Sequence, residues 1–272
     1  CTWCSHSVYG RSHRRRSVED VASEVEWIID RYRPDQLWYA DDVLTINRTW
    51  FLDYASELSR RGVSIPYEAI TRADCLDEET VEALAATGAW RIWIGAESGS
   101  QRILDAMRRK TFIGDVRRKT LMLQTKGIKV GMFIMFGYEG EEETDLLETL
   151  EHLKTTAPDV FLTTVAYPIK GTEYYDAVQE HIGSDLPWQH RSDRDYRIAG
   201  RRSRRYYSHV TRWITNEVQA ARSRQNGNLS QALWCRAKAG AGRIGMALTR
   251  NELETDAGGR PWTSKERAEN AW

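Results

Sequence analysis

The sequence predicts an α/β fold built around a parallel sheet. Between Ser17 and Tyr167, short apolar segments alternate with longer amphipathic segments of helical periodicity. The alternation stops at Pro168, after which the chain reads as irregular and then helical. Strands that alternate with helices of this length are typical of βαβ units joined by right-handed crossovers.

Each predicted element has its own local signals. Capping residues open the first three helices, and proline or glycine closes them. The predicted helices are Ser17 to Pro34, Asn47 to Gly62, Asp77 to Gly88, Ser100 to Met107, Gly114 to Lys126 and Glu141 to Lys154. Apolar and β-branched runs predict strands at Gln36 to Ala40, Val63 to Ile70, Ala89 to Ala96, Ile128 to Phe136 and Asp159 to Tyr167, with a sixth expected before Cys1.

Composition limits the class of protein. The chain has 272 residues, 41% of them hydrophobic, which is enough for a sizeable core. Four cysteines do not suggest a disulfide framework, and no apolar run approaches the ~20 residues of a membrane-spanning helix. We therefore expect a globular protein without a membrane span, located in the cytoplasm.

Charge and pattern divide the chain at about residue 184. Residues 1 to 184 carry a net charge of −8 and residues 185 to 272 a net charge of +8. We expect one domain over 1–183 and a mostly helical C-terminal segment over 184–272, with an irregular stretch at 184 to 202. Helices are predicted at Ser203 to Ser223 and Leu229 to Leu248, and the polar end from Asp256 is expected to be frayed.

The chemistry-bearing side chains follow the predicted strands. In parallel α/β sheets, ligands bind at the carboxyl ends of the strands, so residues at those ends should meet. They are Cys1 and Cys4, Asp41 and Asp42, Glu68 and Arg72, Glu97 to Gly99, and Gly137 to Gly140. The Cys-x-x-Cys pair alone leaves a zinc half-site, a redox dithiol and an iron-sulfur site open. His6 and His13 lack the remaining spacing of a zinc site and are expected to be loop residues.

Several motifs in order resemble the radical S-adenosylmethionine superfamily, and within it the branch in which a cobalamin-binding domain precedes the radical domain. The motifs are Cys1-Thr-Trp-Cys4, Tyr39 to Asn47, Ile94 to Met107, Met132 to Gly137 and Ala166 to Thr172. The resemblance covers about residues 1 to 180. It implies a partial (β/α)6 TIM-like barrel with a helical C-terminal extension, which agrees with the alternation of elements.

The resemblance implies a 4Fe-4S cluster and S-adenosylmethionine as cofactors. Cys1 and Cys4 match the second and third ligands of the family loop, and the first would lie four positions upstream. Three thiolates leave one iron open to chelate S-adenosylmethionine, and an electron from the cluster then yields a 5′-deoxyadenosyl radical. With two ligands, the chain as printed is expected to bind the cluster poorly. Cys75 and Cys235 are expected to be buried thiols and not substitutes.

The remaining site residues are also implied by the resemblance. Trp3 matches the aromatic position near adenine, or is a hydrophobic plug beside the cluster. The strand-end acids match positions that contact S-adenosylmethionine, and a basic residue matches one that pairs with its carboxylate. The candidate cofactor-binding residues are Trp3, Asp41, Asp42, Glu68, Glu97, Ser98 and Arg109. We expect Gly99 to adopt a positive φ that lets the chain turn closely past the ligand, and the turn at Gly137 to Gly140 to shape the ribose pocket.

The resemblance implies a radical enzyme that abstracts hydrogen from a substrate, with cobalamin-dependent methyl transfer or cyclisation as outcomes. The alternatives are a non-catalytic remnant of the fold and a methylthiotransferase-like RNA-modifying relative. Arg201, Arg202, Arg204 and Arg205 invite a nucleic-acid interpretation, but a helix face docked on the acidic core explains them better. The expected partners are a small-molecule substrate, such as a lipid or another natural-product precursor, and an electron donor such as flavodoxin or ferredoxin. For the substrate pocket the C-terminal segment offers only Trp188, Trp213 and Trp234.

Overall fold

The computed structural model describes residues 1–5, 10, 14–183, 188–190 and 192–255, without the side chain of Trp188. Its centre is a sheet of five parallel strands that lie side by side in chain order. The strands are β1 (Leu37–Trp38), β2 (Tyr67–Thr71), β3 (Ala89–Glu97), β4 (Lys129–Phe136) and β5 (Val160–Val165). The sheet curls into a half-barrel with helices on its outer face. This is the predicted α/β fold of the partial TIM-like barrel type.

Helices connect the strands as predicted. Those before and between the strands are α1 (Val18–Tyr32), α2 (Arg48–Arg61), α3 (Glu78–Ala86), α4 (Gln101–Ala106), α5 (Ile113–Thr125) and α6 (Glu143–Thr156). After β5 come α7 (Glu173–Val178), α8 (Arg204–Gln225) and α9 (Leu229–Leu248). Ser17, Asn47 and Asp77 cap the first three helices through their side chains, as their positions predicted.

Alternate residues of each strand face opposite sides of the sheet. On β3, Ile92 and Ile94 are fully buried beneath the helices, together with Val130 and Met132 of β4. Arg91, Trp93 and Gly95 therefore face the inside of the half-barrel. The main core thus lies between sheet and helices, and the inner face is left for ligands.

Three local features differ from the predictions. Helix α6 begins at Glu143 and not at Glu141, because Glu142 and Asp145 form a capping box. The short helix α7 was not predicted. The stretch 184 to 202 contains one further strand, β7 (Arg197–Ile198), which pairs antiparallel with β6 (Ile182–Gly183) across the predicted domain boundary. The predicted frayed end from Asp256 lies outside the described residues.

The C-terminal helices α8 and α9 pack closely against each other, and Trp213 of α8 is buried in the main core. Arg205 of α8 pairs with Glu252 at 3.3 Å, whereas Arg243 of α9 pairs with Glu143 of α6 and Arg222 of α8 donates to the carbonyls of Pro158 and Asp159 beside the barrel. Arg201 forms a buried ion pair with Glu254 at 2.8 Å and donates to the carbonyl of Ala166 at the end of the barrel. Among the described residues, no helix is long and apolar enough to cross a membrane.

Candidate functional site

The loop from Cys1 to Cys4 is held against the β4 side of the barrel mouth. The Thr2 amide donates to the Met107 carbonyl at 3.1 Å, and the Thr2 carbonyl accepts from the Tyr174 amide at 2.9 Å. The Thr2 hydroxyl also lies 2.7 Å from the Tyr138 hydroxyl. These contacts fix the backbone between the two cysteines to segments that follow β3, β4 and β5.

Arg109 joins the cysteine loop to the end of β3. One of its terminal nitrogens donates to the Gly95 carbonyl at 2.8 Å and lies 3.9 Å from the Glu97 carboxylate. The other lies 3.7 Å from the Cys1 sulfur. Arg109 is 9% exposed, and its Nε is buried with no hydrogen-bond partner. A buried donor without a partner has a free-energy cost, which a bound anion or carbonyl would relieve.

Glu97 reaches this site because the end of β3 is irregular. Gly95 pairs with Phe133, but the next paired residue is Glu97 with Ile134, so Ala96 is an extra residue in the strand. Glu97 itself has φ of 62°, a conformation rare for a residue with a side chain. Burial raises the pKa of the Glu97 carboxyl to about 7, and the nearby Arg109 guanidinium lowers it in part.

Gly95 lies directly beneath Glu97 and Arg109. A Cβ at this position would lie 2.6 Å from Glu97 Oε1 and 2.8 Å from a terminal nitrogen of Arg109. Both contacts are far shorter than van der Waals distance, so a side chain here would push the two charged groups away. Gly95 therefore allows the carboxylate and the guanidinium to fold over the sheet beside Cys1.

The second cysteine, Cys4, lies near Arg72, which directly follows β2. The pKa of Arg72 is raised, first by its hydrogen bond to Asp74 and to a smaller extent by Cys75 and Cys4. Both remaining cysteines were expected to be buried. Cys235 on α9 is buried, but Cys75, which follows β2, is only half-buried. Within the described ranges, no group of three or more His, Cys, Asp or Glu residues could hold a metal ion.

The described residues fit part of the expected cofactor set. Cys1 and Cys4 would supply two of the three thiolates of the family loop, and the guanidinium of Arg109 lies 3.7 Å from the Cys1 sulfur. The buried Nε of Arg109, which has no hydrogen-bond partner, suits an anionic amino acid group such as the carboxylate of S-adenosylmethionine.

Trp3 lies on the β4 side of the mouth. It is partly buried and packs against the apolar cluster that includes Met107, Tyr138 and Tyr174. Its indole Nε1 is buried with no hydrogen-bond partner. The packing is that of a hydrophobic plug, and the indole N–H remains available to a ligand; the predicted contact with adenine stays a prediction.

Asp41 and Asp42 lie at the opposite side of the mouth, after β1, and both are exposed. The Asp41 carboxylate is 3.6 Å from Arg15, which also donates to the carbonyls of Val43 and Leu44. The structure therefore does not bring these two acids into contact with Glu97 and Arg109. Their predicted contact with the methionine amino group stays a prediction.

Glu68 lies deeper in the half-barrel than its position near the end of β2 suggested. Its carboxylate accepts from Trp93 Nε1 at 2.7 Å and lies 3.3 Å from Arg91. It is 6% exposed, so these two partners already occupy it. A role toward S-adenosylmethionine stays a prediction.

Ser98 and Gly99 pack against α6. The Ser98 side chain is fully buried, with its hydroxyl 3.3 Å from that of Thr149 and accepting from the Ser100 amide, so any ligand contact falls to its backbone. The expectation for Gly99 was wrong, because Gly99 is not among the residues with positive φ. A Cβ there would lie 2.4 Å from the Thr149 Cα, so the glycine allows close packing between the strand end and the helix.

The sequence-based selection missed Gly95, Trp93 and Phe133. A signal existed in the alternation along β3, which places Arg91, Trp93 and Gly95 on one face between buried isoleucines. Trp213 on α8 is buried in the main core, and Trp234 on α9 is exposed. Their place in a substrate pocket stays a prediction, and the Trp188 side chain lies outside the described residues.

Fold and site define an α/β half-barrel with a cysteine loop, a buried arginine and a buried glutamate at its mouth. Residues 1–153 match the model of the radical SAM superfamily. Because this match covers more than half of the chain, the protein belongs to that superfamily.

Two curated relatives give more detail. An uncharacterized methyltransferase of Pyrococcus horikoshii is 26% identical over 198 residues, which cover 70% of this chain and 42% of the relative. An anaerobic magnesium-protoporphyrin IX monomethyl ester cyclase of Rubrivivax gelatinosus is 27% identical over 162 residues, covering 59% and 29%. The chain thus spans less than half the length of these relatives.

Among solved structures, the cobalamin-dependent S-adenosylmethionine radical enzyme OxsB superimposes with a TM-score of 0.62 and 15% identity. The match covers 92% of this chain and 45% of OxsB. It supports the half-barrel fold together with the C-terminal helices.

Proposed function

We propose that this chain is the S-adenosylmethionine-cleaving part of an enzyme that abstracts hydrogen from a small-molecule substrate. The observation that carries the proposal is the contact of Arg109 with Cys1, Gly95 and Glu97 at the mouth of the half-barrel. It places a guanidinium, a carboxylate and a thiol at one edge of the sheet, where α/β folds bind their ligands.

Each residue has a task in this proposal. Cys1 and Cys4, with a third ligand, would hold the cluster, whose chemistry when bound is to supply one electron for cleavage of S-adenosylmethionine to methionine and a 5′-deoxyadenosyl radical. Arg109 receives the methionine carboxylate, since its buried Nε lacks a partner. Glu97 lies beside it, where its carboxylate can accept from a ribose hydroxyl or the methionine ammonium.

Methyl transfer, with cobalamin as the methyl carrier, is the outcome that the similarities favour. The similar proteins include a methyltransferase and a cyclase, and the structurally similar OxsB is cobalamin-dependent. The described residues include none that we assign to cobalamin, so its use rests on these similarities. A flavodoxin or ferredoxin is the proposed electron donor.

The test uses the protein expressed from its complete reading frame, reconstituted anaerobically with iron and sulfide and then reduced. We expect 5′-deoxyadenosine to form from S-adenosylmethionine, as measured by mass spectrometry. Cys4→Ala should abolish it, because the cluster loses a ligand. Cys235→Ala, at a buried thiol of α9, is the matched control and should retain it.

The same experiment separates the proposal from the non-catalytic remnant. If the folded protein holds a spectroscopically verified cluster but forms no 5′-deoxyadenosine, the proposed reaction is wrong and the remnant is favoured. If the product forms, addition of hydroxocobalamin and a visible absorption titration test whether the protein binds the corrinoid.

A further inference from the structure

The inner face of the half-barrel carries a wall of aromatic side chains. The rings of Trp93 and Phe133 stack with centroids 5.0 Å apart and planes 21° apart. Trp38 of β1 lies 6.4 Å from Trp93 on the other side. Since β1, β3 and β4 each contribute one ring, the wall spans most of the width of the sheet.

Trp93 is fixed in place from two directions. Its Nε1 donates to Glu68 at 2.7 Å, in a buried hydrogen bond to a carboxylate. Its ring also lies flat over Gly131, where a Cβ would come within 2.4 Å of the ring. The hydrogen bond to the Glu68 carboxylate and the close packing on Gly131 hold this indole in one orientation. Trp93 is itself only 6% exposed, so it supports the neighbouring rings of Phe133 and Trp38 and is not a contact surface for a ligand.

The wall lies directly beneath the candidate radical site. Phe133 is the register partner of Gly95, on which Glu97 and Arg109 rest. Trp93 precedes Gly95 by two residues and therefore faces the same side of the strand. A molecule lying on the rings would present one end to the place where the proposed radical forms.

Part of the wall remains open. Trp38 is 50% exposed and Leu162 of β5 is 52% exposed, although both belong to the sheet. Leu162 alternates with Phe161 and Val165, which pack against the outer core, so it faces inward. Exposed apolar surface inside a concave site is typical of a ligand pocket.

Positive charge lies at the lower end of this wall. Arg91 lies 4.2 Å from the Trp90 ring centroid and 5.8 Å from that of Trp93, and Lys129 lies 5.3 Å from the Trp90 ring. Glu68 neutralises Arg91 at 3.3 Å, whereas Lys129 is exposed and has no carboxylate partner among the described residues. Arg91 precedes Gly95 by four residues, a separation of about 13 Å along a strand.

We propose that the inner wall binds the substrate, and that the substrate is an elongated planar aromatic molecule with an anionic group at one end. The ring system stacks on Phe133 and Trp38 beneath Gly95, and the anion points toward Lys129 and Arg91. This assignment rests on the proposed function, since it names the substrate class of the same site. Flat rings gain from stacking on aromatic faces beyond their buried area, and the exposed ammonium completes recognition of the anion.

The test uses pyrene-1-butyrate, a flat polycyclic carboxylate, and measures its fluorescence anisotropy with the chain free of iron and S-adenosylmethionine. We expect saturable binding that Trp38→Ala weakens at least tenfold and Lys129→Ala about fivefold. Phe133→Leu, which keeps the apolar volume but removes the ring, should also weaken it. Trp27→Ala removes a tryptophan of α1 that is 56% exposed, against 50% for Trp38, and is the matched control.

Two comparison ligands complete the design. Dodecanoate carries the anion without a ring and should compete poorly, and pyrene-1-methanol carries the ring without charge and should bind more weakly than the butyrate. Equal affinities of the wild type and Trp38→Ala, or the absence of saturable binding by folded protein, would overturn the proposal. Neither result depends on 5′-deoxyadenosine formation, so failure here is distinct from failure of the proposed radical chemistry.

Discussion

The two sides of the barrel mouth differ in how completely they are formed. On the side of β3 and β4, Arg109 and Glu97 are buried, and each contacts other groups of the site. On the side of β1, Asp41 and Asp42 are exposed, and Arg15 lies at a loose 3.6 Å from Asp41. Both sides carry charged side chains at strand ends, but only on the side of β3 and β4 are these side chains buried and held in place in the structure without a ligand.

This difference shows which part of the site costs folding free energy to form. Burying a carboxylate and holding a non-glycine residue at positive φ both cost free energy, and such costs concentrate at functional sites. Exposed acids cost little and contribute little until a cation neutralises them. Substitutions on the first side should therefore change stability and binding together, and substitutions on the second should change binding alone.

The largest expected effect is on stability, from Glu97→Gln in the chain without cofactors. The pKa of Glu97 is raised from 4.5 to about 7, so between these values the folded state holds a proton that the unfolded state has lost. Stability therefore falls as pH rises through this window. The glutamine cannot ionise and lacks this penalty. Between pH 4 and pH 8 the free energy of unfolding of the wild type should therefore fall by about 3 kcal/mol more than that of the variant.

Urea denaturation at both pH values measures this difference. Glu82→Gln, at an exposed carboxylate that pairs with Lys126, is the control; because it retains Glu97, its stability should fall with pH in parallel with that of the wild type. If the wild type and Glu97→Gln lose stability in parallel between pH 4 and pH 8, Glu97 is not the buried acid described above.

Next in size is Gly95→Val, which places methyl groups where Glu97 and Arg109 now lie. Displacing both groups by an ångström or more should weaken S-adenosylmethionine binding about 100-fold. Isothermal titration calorimetry with the reconstituted protein measures the affinity. Gly114→Ala, where a Cβ meets open space, should bind normally; equal affinities of the two variants would remove Gly95 from the site.

Arg109→Lys should weaken the binding of S-adenosylmethionine about tenfold. An ammonium cannot reach Gly95, Cys1 and a ligand carboxylate at once, because it lacks the planar fork of the guanidinium. The neighbouring Arg108 is exposed and pairs with Glu173 at 2.7 Å, so Arg108→Lys is the matched control. The same titration compares the two, and a loss in Arg108→Lys as large as in Arg109→Lys would argue against the assignment.

The smallest effect on stability is expected from Asp41→Asn and Asp42→Asn. Each should change the free energy of unfolding by less than about 0.5 kcal/mol, because exposed ion pairs contribute little. If these acids receive the methionine ammonium as predicted, S-adenosylmethionine binding falls about fivefold, the effect of one partly solvated charged hydrogen bond. Unchanged affinity with unchanged stability would remove them from the site.

Much of the fold could be predicted because its signals are local. Caps at Ser17, Asn47 and Asp77 and the five apolar strands depend on residues within one turn or one strand. The placement of charged residues at strand ends followed from the same alternation, and with it the mouth of the barrel as the candidate site. What escaped were elements with weak local signals, such as α7 and the pair of β6 and β7, which tertiary contacts stabilise.

The sequence by itself determined the class of fold, the cysteine loop and the set of candidate residues. Only the tertiary structure decided that Arg109 contacts Cys1 across 108 positions of the chain, and that Glu97 turns into the mouth at the irregular end of β3. It also decided that Ser98 and Gly99 pack against a helix while Trp93 and Phe133 line the interior. The physical reason is that capping and periodicity act between near neighbours, whereas burial and close packing depend on which distant segments the fold brings together.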